Sequence, residues 1–506
     1  MSMIQELSKY FVDPNTRIQA TLITFFSTLI GAKIIMDFVK RDNRPPGPVG
    51  VPLLGYLPFF GTHPYLTFSK LRDKYGDIFS VKMGSFPAVV INGKDLIKEA
   101  FVSRGDDFSG RPQFYSNTIL GLDTLSFGFF DERTITHKKM AANKLLEFAS
   151  ARKNPIEDIV DFEAKIAVTE FAQLKGKPFY PKDIIYSSVG SVIFQICYGK
   201  HTNIREEDSY FRDFILSSSE FSEFVGTGNP VDVMPWMRFI MPWKVTKFVE
   251  LVTGFKAIRN KKIEENLESF SPSNIRHLSD GIIAAANEHE ADPNSTLSRE
   301  RIYSTIDDIM GAGFETVSTV LNWGTLLLTA YPKVQEMVHA EIDNVLGKRP
   351  PRLQDKAKMP YCMATIHEVL RFSNITPLAI PHAATKDTEL SGYTIRKGTI
   401  IIPNMYTISH DKDIWGDPFN FRPDRFLDSE GQLDQITTER FNVFSMGRRK
   451  CLGEFLARME IFLFLTGIFQ NCKFTKPANV KQYTFDSIFG LARVPAYYET
   501  CASIRD

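Results

Sequence analysis

Apolar residues recur at the spacing of one helix face along much of the chain, and this periodicity is typical of helices that pack on a core. Pro332 directly follows one of the longest patterns, and a proline at that place ends a helix. Helices are predicted over, among other segments, Thr136–Ala149, Ile156–Leu174, Ile184–Tyr198, Arg299–Tyr331 and Gly453–Gln470.

Two shorter stretches have the alternation of β-strands instead. Residues Ile78–Asn92 alternate around a Gly-Ser turn, and Ala384–Ile402 contain Ser391-Gly392 as their turn. Asp411–Phe444 is rich in Pro, Gly and Asp, which predicts an irregular segment. Since no linker separates these parts, the pattern predicts one large domain that is mainly α with small β-sheets.

The N-terminal region carries a long apolar stretch, Ile18–Val39. Its uncharged part, Ile18–Ala32, is shorter than the roughly 20 residues that cross a bilayer, but Lys33 can snorkel towards the headgroups. The basic residues that follow favour a cytosolic location for the rest of the chain, by the positive-inside rule. These cations are Lys33, Lys40, Arg41 and Arg44.

Pro45-Pro46-Gly47-Pro48 follows this stretch and predicts a stiff, extended spacer. No small-residue cleavage site follows the apolar run, so a membrane anchor is favoured over a signal peptide, with an interfacial helix as the alternative. We therefore expect residues 1–44 to be an anchor with its flanks and residues 45–506 to be the functional domain.

Composition narrows the class of protein further. Lys and Arg number 60 against 59 Asp and Glu, whereas a general nucleic-acid binder is normally strongly basic. Hydrophobic residues make up 43% of the chain and include 42 Phe, enough for a large core and an apolar cavity. Five scattered cysteines argue against a disulfide framework and favour a reducing compartment.

The strongest chemical signal is the segment FSMGRRKCLG, which runs from Phe444 to Gly453 directly before an apolar helix. A thiolate donates electron density to iron, which favours cleavage of an O–O bond. Neighbouring cations and a helix N-terminus keep such a sulfur ionised, and both are present around Cys451. Glycines let the backbone approach a flat macrocycle closely.

This decapeptide matches FxxGxRxCxG, the signature of the cytochrome P450 superfamily of haem-thiolate monooxygenases. The resemblance extends from the PPGP segment to the end of the chain. It implies a cytochrome P450 fold, haem b as the cofactor and Cys451 as the iron ligand.

A second motif lies in the middle of the helix predicted from Arg299. Gly311 and Gly313 together cost about 2 kcal/mol of helix propensity, and the Thr316 hydroxyl can compete for a backbone carbonyl. The result would be a groove in which an alcohol beside an acid supplies protons. By resemblance to the superfamily motif [AG]GxxT, Thr316 is the proton-relay alcohol and Glu315 its acid partner.

Glu368 and Arg371 lie three residues apart, on one face of a helix turn. The resemblance makes them the ExxR pair and adds Arg425, in RPDRF, as the third member of a structural ion network. Removal of one partner from such a buried network costs about 3–5 kcal/mol, and we expect it to prevent haem incorporation.

Haem propionates are anions that require cationic partners. By resemblance the candidates are Arg449, His382 and Arg111. The superfamily often has a WxxxR pair on a helix near residue 138, but this chain has Thr134 and Lys138 at those places. Lysine keeps the charge and loses the bidentate fork of arginine, which leaves one propionate contact open.

The nearest resemblances within the superfamily are the aryl-hydrocarbon-hydroxylating family 1 and the steroid 17-alpha-hydroxylase family. GNPVD, GFET and EIFLFL resemble the first, and DFSGRPQ resembles the second. We therefore expect a planar aromatic or steroid-like substrate in an apolar pocket. Its expected walls are Phe221, Phe224, Phe314, Ala312, Ile380 and Leu491.

Three functions are compatible with these residues. The first is monooxygenation at the endoplasmic reticulum membrane, with electrons from NADPH through NADPH–cytochrome P450 reductase and cytochrome b5 as a further candidate donor. A reductase-independent haem-thiolate isomerase is the second, although it would not need Glu315 and Thr316. The third, a haem-binding sensor, would leave the apolar pocket without a purpose.

Overall fold

The computed structural model describes residues 43–121, 123–149, 155–199, 209–226 and 229–505, together with a few positions between 20 and 28. Helices predominate among them. In chain order the helices are α1 (Pro64–Tyr75), α2 (Lys94–Lys98), α3 (Gly105–Phe108), α4 (Tyr115–Leu120), α5 (Glu132–Ala149), α6 (Pro155–Gln173), α7 (Lys182–Tyr198), α8 (Ser209–Gly226), α9 (Pro230–Val233), α10 (Pro242–Glu268), α11 (Leu278–Ala291), α12 (Arg299–Ala330), α13 (Pro332–Val345), α14 (Pro360–Ser373), α15 (Met405–Ser409), α16 (Lys412–Trp415), α17 (Gln435–Thr438) and α18 (Glu454–Asn471).

Ten short strands form four small sheets among the described residues. The largest sheet has the order β1-β2-β6-β3, in which β2 and β6 run parallel and the other two pairings are antiparallel. The remaining sheets are two-stranded, β4-β5, β8-β9 and β10-β7. The strands are β1 (Ile78–Met83), β2 (Phe86–Ile91), β3 (His382–Ala383), β4 (Thr388–Leu390), β5 (Tyr393–Ile395), β6 (Ile400–Pro403), β7 (Cys472–Thr475), β8 (Ser487–Phe489), β9 (Arg493–Pro495) and β10 (Cys501–Ile504).

The sequence predictions of fold class are confirmed. The mainly helical domain with small sheets is present, and the predicted long helices appear with ends shifted by a few residues. Such shifts are expected because the residues of the first and last turns have fewer hydrogen bonds.

Helix α12 forms the centre of the domain. The Ser298 hydroxyl accepts a hydrogen bond from the Arg301 N–H and caps its start, and Pro332 follows its end. Most of its second half is buried against α7, α14 and α18, with Trp323 fully enclosed. Because α12 is buried on nearly all sides there, it packs against each of these elements.

The structure brings Glu368, Arg371 and Arg425 together in a buried cluster. Arg371 Nε and Nη2 donate to the two oxygens of Glu368 at 2.6 and 2.8 Å, and Arg425 Nε donates at 3.1 Å. Arg371 also donates to the Ser409 and Pro418 carbonyls. The cluster therefore ties α14 to the irregular segment that leads to Cys451.

The predicted anchor lies almost wholly outside the described residues. Among the residues that the structure does describe, no helix combines the length and the apolar composition needed to cross a membrane.

Candidate functional site

One large cavity lies between α12, α5, α18 and the loop that carries Cys451, and it encloses about 610 Å³. That volume is within the usual range for sites of small molecules and cofactors. Its wall contains many of the residues singled out from the sequence. These are Arg111, Lys138, Ala312, Thr316, Ile380, His382, Phe444, Arg449, Cys451 and Gly453.

The cysteine loop is held in shape by its own backbone. The Cys451 N–H donates to the Phe444 carbonyl at 3.0 Å, and a short 3-10 turn occupies Gly447–Arg449. Gly447 has a φ of 74°, and a β-carbon there would lie 1.8 Å from the Phe101 carbonyl oxygen. Only glycine fits at this point, because both the backbone conformation and the close approach exclude a side chain.

The charge of the sulfur depends on its surroundings. Burial raises the pKa of the Cys451 thiol, while the Gly453 N–H, Lys138 and Lys450 oppose this rise. The residue nevertheless presents an exposed surface to the cavity. A metal ion bound to the sulfur would favour its thiolate form.

Lys138 lies beneath the same loop. Its Nζ donates to the Arg448 and Lys450 carbonyls at 2.8 and 2.7 Å, so the ammonium ties α5 to both sides of the cysteine turn. The pKa of Lys138 is lowered to about 8, and burial is the largest of several causes. The predicted role of Lys138 at a propionate stays a prediction, because its ammonium group donates to backbone carbonyls in this structure.

The guanidinium groups of Arg111 and Arg449 and the imidazole of His382 lie at another part of the wall. Arg449 donates to the Ser109, Leu125 and Gly128 carbonyls. Arg111 is buried and likewise donates only to carbonyl oxygens in the described chain. Burial lowers the pKa of Arg449 to about 10, an effect that Asp308 and Asp131 oppose.

No carboxylate of the described residues forms an ion pair with either arginine, so this wall contains buried positive charge without an anion in contact. Buried charges are normally paired. A ligand with carboxylates, such as the propionates of haem, fits this arrangement together with a thiol inside the same cavity. The residues present therefore suit haem.

The wall formed by α12 carries Ala312 and Thr316. The Thr316 hydroxyl donates to the Ala312 carbonyl at 2.7 Å, and the helix continues without interruption through this turn. Ala312 is exposed to the cavity even though the helix around it is mostly buried. Small side chains therefore leave open space against the helix at this point.

Glu315 lies on a different face of α12 and is not part of the cavity wall. One carboxylate oxygen accepts from the Ser222 hydroxyl at 3.3 Å, and the other has no partner in the described chain. Burial raises the pKa of Glu315, and Lys182, Ser222 and Tyr186 oppose the rise. Glu315 is thus next to Thr316 in the sequence, but its carboxyl group is directed towards α7 and α8.

Four expected pocket residues are placed elsewhere. Phe314 is fully buried and packs edge-on against Tyr186, because its position on α12 directs it away from the cavity. Phe221 and Phe224 stack on Phe248 of α10. Leu491 is also absent from the wall. None of these four residues lines this cavity, so their role at the substrate stays a prediction, whereas Ala312 and Ile380 do line it.

Asp308 was missed in the sequence because it resembles an ordinary polar residue of a helix. It lines the cavity, where its carboxylate accepts the N–H groups of Leu125 and Ser126 at 2.7 and 3.1 Å. It therefore fixes the 125–128 segment against α12. The sequence feature that could have identified Asp308 is its position two turns before Thr316 on the same face of α12.

Glu460 was missed for a different reason, since it lies within the apolar run of α18. It is fully buried at the cavity wall, and neither carboxylate oxygen has a hydrogen-bond partner in the described chain. Burial raises the pKa of Glu460 well above its ordinary value, which favours the uncharged form of this acid.

We predict that Gly447→Ala destabilises the protein far more than Gly431→Ala. Both glycines have a φ of 74°, but a β-carbon at Gly431 would meet nothing within 4 Å. The left-handed conformation alone costs about 1–2 kcal/mol, and the contact with the Phe101 carbonyl adds about 1–3 kcal/mol at Gly447. Denaturant unfolding of the two variants measures the difference, and equal losses would contradict this explanation of the loop.

Comparison with known proteins gives a consistent result. Residues 45–502 match the Cytochrome P450 family. Cytochrome P450 1A1 of Cavia porcellus is 36% identical over 466 residues, which cover 89% of this chain and 90% of that protein. Cytochrome P450 1A1 of Homo sapiens is 35% identical with the same coverage, and Cytochrome P450 1A2 of Rattus norvegicus is 34% identical over 92% of each chain. The chain therefore belongs to the cytochrome P450 family and is a haem-binding monooxygenase.

Proposed function

We propose that Cys451 binds the haem iron as a thiolate and that O₂ and an apolar substrate meet beside Ala312 and Thr316. The observation that carries this proposal is that the Cys451 thiol, the arginines without a carboxylate partner and the Ala312–Thr316 turn of α12 border one cavity. When bound, haem supplies the iron at which O₂ is reduced.

The protein's own task is then to deliver protons in a site that excludes bulk water. The Thr316 hydroxyl lies at the cavity wall, and its oxygen can accept a hydrogen bond from a water there while its O–H donates to the Ala312 carbonyl. Glu315 is the nearby acid, and its raised pKa suits it to hold a proton. We expect a water or a rotation of Glu315 to connect the two residues, since the carboxyl is directed away from the cavity.

A planar aromatic compound is the substrate class that we favour. The cavity wall near Thr316 carries Ala312, Ile309, Ala379 and Ile380, which are apolar and small or aliphatic. The resemblance to the aryl-hydrocarbon-hydroxylating family and the similarity to cytochromes P450 1A1 support this choice over a steroid. A steroid substrate remains the second candidate because of the segment DFSGRPQ.

Electrons would come from NADPH through NADPH–cytochrome P450 reductase, with cytochrome b5 as a second donor. The face behind the cysteine loop is basic, but Arg448 pairs with Asp106 and Lys450 pairs with Glu454. Lys139 and Arg440 are exposed, and no ion pair is formed by either within the described chain. These two side chains are the cations on which we expect docking of an acidic electron donor to depend.

We propose that the protein is attached to the endoplasmic reticulum membrane with its domain in the cytosol. The reason is that an exposed apolar segment lies next to the chain that follows the predicted anchor. The segment before α10 exposes large side chains, from 42% for Trp236 to 75% for Phe239. The Ser85 N–H donates to the Val233 carbonyl, and the Gly84 N–H donates to the Leu54 carbonyl. The β1–β2 turn thus joins this segment to the chain that follows the predicted anchor.

Thr316→Ala should uncouple electron supply from product formation. With NADPH, reductase and a polycyclic aromatic hydrocarbon, we expect hydroxylated product per NADPH to fall about tenfold, with the lost electrons appearing as hydrogen peroxide. Thr325→Ala is the matched control, because Thr325 also donates to a carbonyl four residues back in α12 but is buried in the core. Product formation without NADPH and reductase would favour the isomerase, and equal coupling in both variants would contradict the role of Thr316.

The membrane proposal predicts contact between lipid and two of the four tryptophans. Trp236 and Trp243 are exposed, whereas Trp323 and Trp415 are buried. Vesicles of brominated phosphatidylcholine should quench the fluorescence of the full chain, and Trp236→Phe with Trp243→Phe should abolish this quenching. Vesicle-bound protein whose tryptophans are not quenched would contradict the proposed orientation.

A further inference from the structure

His382 is held rigidly at the cavity wall. It lies in β3, paired with Ile401 of β6, and is 3% exposed. Its ring stacks on Phe101 with centroids 4.0 Å apart and planes 16° apart. The imidazole therefore cannot turn over to exchange its two nitrogens without breaking this contact.

The hydrogen bond of His382 fixes which nitrogen carries a proton. Nδ1 lies 2.7 Å from the Phe108 carbonyl oxygen. A carbonyl oxygen has no hydrogen to donate, so Nδ1 must be the donor. A neutral imidazole carries only one N–H, and the second nitrogen, Nε2, then has a lone pair and can only accept.

Nε2 has no hydrogen-bond partner in the described chain, and His382 borders the cavity beside Arg111. As described above, Arg111 and Arg449 are cations without a carboxylate partner among the described residues. This wall therefore suits an anion, yet a neutral His382 would present a lone pair to it. Protonation of Nε2 removes this conflict, because the imidazolium donates from both nitrogens.

The family resemblance already makes His382 a candidate partner of a haem propionate; we propose that it binds this carboxylate as an imidazolium cation, so that haem binding takes up one proton at this residue. The inference rests on the proposed placement of haem in this cavity. It makes His382 a positioning residue whose charge depends on the cofactor.

The charged groups around His382 determine its response to pH. Burial lowers the pKa of His382 well below 6.5 in the haem-free protein, and Arg111 and Arg449 add to this effect. The acids of the neighbouring helix α3 are engaged elsewhere, Asp106 with Arg448 and Asp107 with Lys386.

A haem carboxylate at Nε2 reverses this balance and raises the pKa of the bound state above that of the haem-free state. A raised pKa contributes affinity that is fully present at low pH and is lost as pH rises through the bound-state value. Haem retention should therefore weaken towards alkaline pH.

The test is the rate of haem transfer from the full-length holoenzyme to excess apomyoglobin between pH 6 and 9.5. We expect the rate to rise about tenfold with pH, as a single ionisation above the ordinary histidine pKa of about 6.5. In His382→Asn the rate should be high and should lack this ionisation, because the amide does not titrate. Lys138→Arg should keep the wild-type profile, which excludes titration of Lys138 as its source.

His339→Asn is the matched histidine control. His339 is also buried, with its pKa lowered to about 4 mainly by burial, but it lies away from the cavity on α13. This variant should transfer haem with the wild-type pH profile. If it lost the ionisation as His382→Asn does, the effect would be one of general stability and the inference would be overturned.

A proton count gives an independent measurement. Calorimetry of the same transfer at pH 7, in buffers of different ionisation enthalpy, should show one more proton released from the wild type than from His382→Asn. Contributions common to both proteins, including that of Cys451, cancel in this difference. Equal counts in proteins that retain thiolate-ligated haem overturn the inference alone, whereas a chain that binds no haem overturns the proposed function as well.

Discussion

The proposed bond to iron requires an anionic sulfur inside a mostly apolar cavity, and the rest of this structure depends on that constraint. Burial alone favours the neutral thiol at Cys451, as the raised pKa shows. The opposing contributions come from the Gly453 N–H at the start of α18 and from nearby ammonium groups. Iron is the remaining cation, so metal binding and thiolate formation are expected to occur together.

The surrounding fold acts mainly to hold this loop in place. Gly447 lets the turn approach Phe101, and Lys138 fixes the loop from α5. The buried cluster of Glu368 and its two arginines anchors the irregular segment that precedes the loop. These contacts come from widely separated parts of the chain, so the site exists only when the whole domain is folded.

The cavity wall carries positive charge without negative charge in contact with it, and the carboxylates of haem would supply that negative charge. Arg111 and Arg449 are satisfied by carbonyl oxygens in their hydrogen bonds but have no ion-pair partner in the described chain. Burial, in contrast, raises the pKa of Glu460 well above its ordinary value and favours its uncharged form. A dianionic ligand with a central metal fits both features better than a neutral one would.

The sequence predicted the fold class, the long helices and the loop around Cys451, because these depend on periodicity and on local motifs. It also identified Glu368, Arg371 and Arg425, which the structure brings together. It could not establish the contacts of Phe314 and Phe221, since an aromatic residue in a helix has the same sequence pattern whether it faces a cavity or the core. Asp308 was missed because its partners, the N–H groups of residues 125 and 126, become neighbours only in the folded chain.

Carbon monoxide difference spectroscopy of the reduced protein tests the sulfur–iron bond most directly. The full chain should show the red-shifted band of thiolate-ligated ferrous haem, and Cys501→Ala should retain it, because Cys501 lies in β10 and not at the cavity wall. Cys451→Ala should lose it. A red-shifted band that persists without the Cys451 sulfur would contradict the central claim.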